Sequence, residues 1–297
     1  MQRVALVTGA SSGIGAAAAR RLKDAGFVVY AAARRVDRMS SLKETGIEVL
    51  SLDVTDEASV SAAVKTIAER SGRLDVLVNN AGYGSYGAIE CTPLDEARNQ
   101  FEVNLFGLAR LTQLLLPLMR EQGSGTIINV SSMGGKLVSP LGGWYHASKY
   151  AVEALSDALR METAPFGIRV VIVEPGSIRT QWGTIAADHV RSSARSTPYE
   201  GMADQVAMNL AASSEPTART ASDPDVVGRA IARIAQTRRP RTRYRVGLGA
   251  TPMVFLRWLL PDRAFDSLVR RAFGVHRMTT PPRPGSAQDT PTREDHP

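Results

Sequence analysis

The chain has 297 residues, 43% hydrophobic and 22% charged, which is ordinary globular usage, excludes wholesale disorder and permits one large α/β domain or two smaller ones. A single cysteine, Cys91, excludes an internal disulfide, and no run approaches the roughly 18–20 uninterrupted apolar residues of a membrane span; with no apolar leader after Met1, a cytoplasmic protein is expected. The net charge of +7 lies wholly in the second half, since residues 1–159 hold 16 basic and 16 acidic side chains while 160–297 hold 20 and 13.

In chain order, a strand over 4–7, a helix over 14–25 and a strand over 27–30 compose a βαβ unit. Further strands are predicted at 48–52, 74–78, 126–130 and 169–173, separated by helix-length segments. Runs apolar on both faces suit a parallel sheet covered by helices on each side. The fold class expected is therefore α/β, a Rossmann-like doubly wound parallel sheet with a C-terminal helical extension.

Ala151, Ala154, Leu155, Ala158 and Leu159 recur at helical spacing within 150–164, and that helix should end near Pro165-Phe166-Gly167. Residues 183–222 are small and polar and read as a mobile lid over a pocket. A helix over 225–236 follows. The basic run 238–245 reads as a solvated arginine-rich loop, although it could attract phosphate, acidic lipid or acidic protein. Apolar stretches at 253–260 and 264–273 are broken by Pro261, and the composition beyond Met278 indicates a disordered tail. The organisation expected is one domain over 1–250, an extension over 251–277 and a tail over 278–297.

Four motifs carry chemistry. The first strand runs into Thr8-Gly9-Ala10-Ser11-Ser12-Gly13-Ile14-Gly15 and then a helix. Gly9 permits a tight turn, Gly13 a close backbone approach to a pyrophosphate, and Gly15 close helix–strand packing, with the helix N-terminus facing the anion. The second strand ends in Ala33-Arg34-Arg35, where an NAD site would place an acid; arginine there pairs with a 2′-phosphate and favours NADP(H). Tyr145 and Lys149 stand one helical turn apart, so both can face one side, and an ammonium near a phenol of reference pKa near 10 favours its ionised form. Asn79-Asn80-Ala81-Gly82 and Ser131-Ser132 end two further strands, Ser132 lying thirteen residues before Tyr145.

Together these motifs resemble the short-chain dehydrogenase/reductase family over residues 3–182. The resemblance implies that Ser132 bonds the substrate oxygen, with Ser131 its local competitor, that Tyr145 exchanges the proton, and that Lys149 also grips the nicotinamide ribose. Asn104 matches an asparagine supporting a relay water. Asp53 and Val54 match the adenine end, Asn80, Ala81 and Gly82 backbone contacts to the cofactor, and Pro175, Gly176, Ile178 and Thr180 the carboxamide-holding segment. Ser11, Ser12 and Ile14 belong to the phosphate turn. The family implies a homodimer or homotetramer built on helices around 100–118 and 150–164.

His146 follows Tyr145 directly and should point elsewhere. His146, His189, His276 and His296 have no metal-ligand spacing, so no metal is expected. Basic charge alone supplies only weak, salt-dependent nucleic-acid binding, so no nucleic-acid partner is expected. The substrate wall should come from 84–87, 133–143 and 183–220, suiting a lipophilic ketone or alcohol of steroid or retinoid type. Met133, Leu137, Val138, Leu141 and Trp144 are either that wall or core. The apolar and arginine residues of the extension suit peripheral lipid contact, packing on the domain, or a cap on the pocket. Rival readings are an NAD(H)-preferring dehydrogenase, an epimerase, and a non-catalytic NADP(H) sensor or scaffold.

Overall fold

Strand β1 (Val4–Thr8) is buried along its whole length, and its alternation sends Ala5 and Val7 into one core layer and Val4 and Leu6 into another. A strand apolar on both faces needs a cover on both, and the order of elements supplies one. In the computed structural model, which describes residues 2–215 and 217–275, β1 leads through α1 (Gly13–Asp24) to β2 (Val28–Ala33), then α2 (Ser40–Lys43), β3 (Glu48–Ser51), α3 (Glu57–Ser71) and β4 (Val76–Asn79). The second half adds α4 (Leu94–Phe101), α5 (Gly107–Glu121), β5 (Gly125–Val130), α6 (Gly143–Thr163) and β6 (Ile168–Pro175). It continues with α7 (Trp182–Ala194), α8 (Glu200–Ala212), α9 (Pro224–Gln236), β7 (Arg243–Val246), α10 (Ala250–Leu259) and α11 (Asp262–Ala272).

The seven strands form one parallel sheet in the order β3-β2-β1-β4-β5-β6-β7. Helices α1 and α9 cover one face through Leu22, Val227 and Ile231; α3 and α5 cover the other through Ile67, Leu111, Leu115 and Met119. Strand order reverses between β1 and β4, which opens a crevice at their carboxyl ends, the place where such sheets bind ligands. The expected fold class is the observed one.

Two local expectations are corrected, the start of α6 and the basic run. Residues 183–222 are largely helical: α7 and α8 pack as a pair through Ala186, Ala187, Val190, Ala203, Val206 and Ala207. Alanines let the two helices approach closely, yet give weak hydrophobic periodicity, so the pattern is faint in the sequence. Helix α6 starts at Gly143 rather than near 150, so it contains Tyr145 and Lys149. The basic run is in part the edge strand β7, because Arg245 pairs with Glu174 at 3.0 Å and Arg243 with Glu153 at 3.0 Å and Asp157 at 2.5 Å. Those carboxylates come from α6 and β6, so no local sequence rule could announce them. The predicted tail over 278–297, with His276 and His296, lies outside the described residues.

Candidate active site

After Thr8 the chain turns through Gly9 at φ +65° and Gly13 at φ +53°, the left-handed region that favours glycine. A Cβ on Gly9 would come 2.9 Å from the Ala81 Cα, and one on Gly15 would come 2.4 Å from the Gly9 carbonyl oxygen. Thr8 Oγ1 accepts the N–H groups of Asn80 and Ala81, both at 3.0 Å, while Asn80 Nδ2 donates to the Thr8 carbonyl at 2.9 Å. Asn80 is thus a clamp between the β1 and β4 ends. No side chain caps the N-terminus of α1, so its first amides stay available to an anion.

A cavity of about 1010 Å³ runs along the crevice. Ser11, Ser12, Gly13, Ile14, Arg34, Arg35, Asp53 and Val54 line it at one end, and Ser132, Tyr145 and Lys149 at the other. Gly9, Asn80, Ala81, Gly82, Pro175, Gly176, Ile178 and Thr180 line the stretch between. Gly15 and Asn104 do not reach it; Gly15 serves packing, and Asn104 sits behind Gly82. Arg34 and Arg35 are exposed and have no ion-pair partner among the described residues. Burial opposes ionisation of Asp53, but bonds from the Thr55 amide and hydroxyl and the nearby Arg34 outweigh it, holding the carboxyl below its ordinary value. A cradle of glycines, free helix amides and unpaired arginines fits a nicotinamide dinucleotide.

Tyr145 and Lys149 are each 7% exposed, on successive turns of α6. Ser132 Oγ accepts the Gly134 N–H at 3.0 Å, and Ser132 lines the same end of the cavity as the buried Tyr145. Ser131 Oγ is buried against Gly135 and has no hydrogen-bond partner. Lys149 Nζ donates to the Val130 carbonyl at 2.9 Å. Burial pushes the Tyr145 hydroxyl up to about 12, Ser132 acting against it, and burial pushes Lys149 down to about 8 against the pull of Glu153. Burial thus favours the uncharged form of both groups.

Asn104 lies in a widened, π-type turn over Glu102–Phe106 and is 1% exposed. Its Oδ1 accepts the Tyr83 N–H, and its Nδ2 donates to the Tyr83 carbonyl and to Ser148 Oγ, all at 3.0 Å. A Cβ on Gly82 would stand 3.0 Å from Asn104 Oδ1 and 3.7 Å from Lys149 Nζ, so both atoms crowd the same face of that glycine.

The model of the short chain dehydrogenase family matches residues 3–189. The chain belongs to that family. This short-chain dehydrogenase is 38% identical over 245 residues to a 3-ketodihydrosphingosine reductase of Bacteroides thetaiotaomicron, covering 82% of this chain and 88% of that one. A short-chain dehydrogenase from Streptomyces avermitilis superposes with a TM-score of 0.73 at 35% identity, covering 94% of this chain and 99% of the other. An alcohol dehydrogenase from Thermococcus sibiricus complexed with 5-hydroxy-NADP gives 0.68 at 28% identity over 84% and 98% of the two chains.

Several side chains around the site of this dehydrogenase carry no motif. The rings of Trp182 and Tyr86 pack on Tyr145 at centroid distances of 5.0 and 5.7 Å. Of the five residues left open between wall and core, Met133, Leu137 and Val138 line the cavity, while Leu141 and Trp144 do not. His146 donates from Nδ1 to the Gly134 carbonyl at 2.9 Å and accepts the Ser139 N–H at Nε2 at 3.0 Å, which assigns the tautomer from its partners. The residue beside the tyrosine thereby pins both ends of the loop after Ser132. Only its adjacency to Tyr145 was visible beforehand.

Burial depresses His146 from 6.5 to about 4, against the bond to Gly134. The folded protein binds this proton less readily than the unfolded chain, so the stabilisation is complete above pH 6.5 and declines as pH falls towards 4. A His146→Asn variant should show a shallower fall in urea midpoint across that window than the wild type. Identical slopes would remove His146 as the cause.

Proposed function

We propose that this short-chain dehydrogenase uses NADP(H) to interconvert a carbonyl and the matching primary or secondary alcohol on a lipophilic substrate such as a ketone, steroid or retinoid. The observation that carries this reading is a buried Tyr145 that lines one cavity with Ser132, Lys149, the glycine turn and the unpaired Arg34. When bound, the cofactor supplies or accepts the hydride. The α1 amides and the turn from Gly9 to Ile14 would hold its pyrophosphate, Arg34 and Arg35 its 2′-phosphate, and Asp53 and Val54 its adenine end. The Asn80-Ala81-Gly82 backbone, Pro175, Gly176, Ile178 and Thr180 would hold the nicotinamide half, with Tyr145 and Lys149 at the ribose.

In the reducing direction Tyr145 gives its proton to the substrate oxygen, and Ser132 steadies that oxygen. Lys149, whose protein acceptor is the Val130 carbonyl, keeps an ammonium beside the phenolate that remains. Asn104 Oδ1 has a second lone pair for a relay water on the Lys149 side. Oxidation follows the same path backwards.

Ala33 stands where an acid would favour NAD(H), and a relative crystallised with 5-hydroxy-NADP supports the phosphorylated cofactor. Trp182, Leu210 and Phe273 extend the apolar wall, and a relative named for reducing 3-ketodihydrosphingosine supports a lipid ketone. A homodimer or homotetramer through α5 and α6 accords with the exposure of Tyr150, Leu155 and Met161.

Arg34→Ala should weaken NADPH binding by about 10–100-fold, the worth of a charge-assisted bond, while leaving NADH binding nearly unchanged. Titration of tryptophan fluorescence with each nucleotide measures both. Equal affinities in the wild type would overturn the NADP(H) assignment.

A further inference from the structure

Helix α10 has two unlike faces. Its inward face, with Ala250 and Val254, packs towards Leu137 and α11, and Met253 reaches the catalytic cavity. Its outward face carries Phe255, Trp258 and Leu259, which are 52%, 78% and 56% exposed, with the Phe255 and Trp258 rings 5.8 Å apart. Thr251 and Pro252 complete that face without a charge. Arg257, the one ionic residue of the helix, is turned aside onto the Phe265 ring at 5.4 Å and Asp262 at 2.7 Å.

The neighbouring helix buries Phe265 and Val269 and exposes Arg263, Ser267, Arg270 and Arg271 along with Asp266 and the Arg257-paired Asp262. An exposed aromatic and aliphatic face on one helix, followed by exposed arginines on the next, has the make-up of an element that lies in a bilayer interface: rings enter the acyl boundary while cations meet anionic headgroups. Among the described residues no helix is long and apolar enough to cross a membrane, so the contact is superficial. A second copy is the less favourable occupant, because an isologous pairing of α10 faces would bring the two arginine sets towards each other. The same two helices wall the catalytic cavity through Met253, Val269, Ala272 and Phe273.

We propose that the outward face of α10, with the α11 arginines, docks this protein on an anionic lipid surface and sets the cavity wall against the membrane. Direct loading of a lipophilic substrate from that membrane rests on the function proposed above; the docking does not.

The test is co-sedimentation of the full chain with vesicles of phosphatidylcholine alone and of phosphatidylcholine mixed with phosphatidylglycerol. The wild type should pellet with the mixed vesicles, and its Trp258 emission should shift to the blue. Phe255→Ser with Trp258→Ser should weaken binding at least about tenfold through lost apolar burial. Arg263→Gln, Arg270→Gln and Arg271→Gln together should weaken it on mixed vesicles by roughly fivefold per arginine and leave neutral vesicles unaffected. NADPH binding by each variant reports an intact fold, and a misfolded aromatic variant leaves the wild type and the arginine variant to decide. A wild type that stays in the supernatant with mixed vesicles would overturn the proposal. So would an aromatic variant that keeps its vesicle affinity while its mass in light scattering falls, since the face would then join two copies. Firm docking by a protein that reduces no ketone would uphold the docking and sink the activity alone.

Discussion

Tyr145→Phe is expected to lower turnover of a ketone by about two to four orders of magnitude, the range associated with removing a positioned acid. The change deletes one oxygen and keeps the ring, which is packed between Trp182 and Tyr86, so neither the fold nor the cavity wall should suffer. NADPH affinity should change little by comparison, because most of the groups placed to hold the nucleotide lie elsewhere in the cavity. The measurement is loss of reduced-nicotinamide absorbance under saturating cofactor, with fluorescence titration of NADPH beside it. A phenylalanine variant as active as the wild type would end the proposed mechanism.

The largest stability effect is expected at Arg243. Its guanidinium lies 3.0 Å from Glu153, 2.5 Å from Asp157 and 3.4 Å from Glu174, and the side chains of Glu153 and Glu174 are only 4% and 0% exposed. Arg243→Ala leaves those carboxylates short of a cation, with Lys136 at 2.9 Å from Glu153 and Arg245 at 3.0 Å from Glu174 as the remaining partners. Stripping one member from a buried ion cluster costs about 3–5 kcal/mol. Urea unfolding should report a loss of that order. Arg243→Lys should recover only part of it, because a point charge cannot bridge three carboxylates as a planar fork does. A loss under about 1 kcal/mol would mean that water and the other two cations already compensate Glu153 and Glu174.

The cluster also has a place in the site. Glu153 is one turn beyond Lys149 on α6, and Glu174 is the residue before Pro175 and Gly176. Arg243 of β7 therefore ties the helix bearing the tyrosine and lysine to the strand end that lines the middle of the cavity.

Much of this was legible in the chain because it is local. A strand apolar on both faces implies a sheet covered on both sides, glycines at 9, 13 and 15 imply a tight turn into a helix, and a spacing of four sets Tyr145 and Lys149 on one side of α6. Where the signal failed, the missing information was a partner distant in sequence. Strand β7 reads as a charged loop until Glu153, Asp157 and Glu174 arrive from elsewhere to neutralise its arginines. Helices α7 and α8 are hidden because alanines pack well but score weakly as apolar. His146 looks idle until both of its ring nitrogens are found on the loop that follows Ser132.

The sequence by itself determined the layered α/β architecture and the phosphate turn, since each follows from patterns within one element or its junction, and the family resemblance of its motifs singled out the serine, tyrosine and lysine. Only the tertiary structure decided that Tyr145 and Lys149 are buried at one end of the cavity, that Ser131 Oγ is left without a hydrogen-bond partner, and that α10 and α11 wall the cavity while turning an apolar face outwards. Desolvation, hydrogen-bond partnership and exposure belong to arrangements of residues far apart in the chain, and they come into being only when the sheet and its helices assemble.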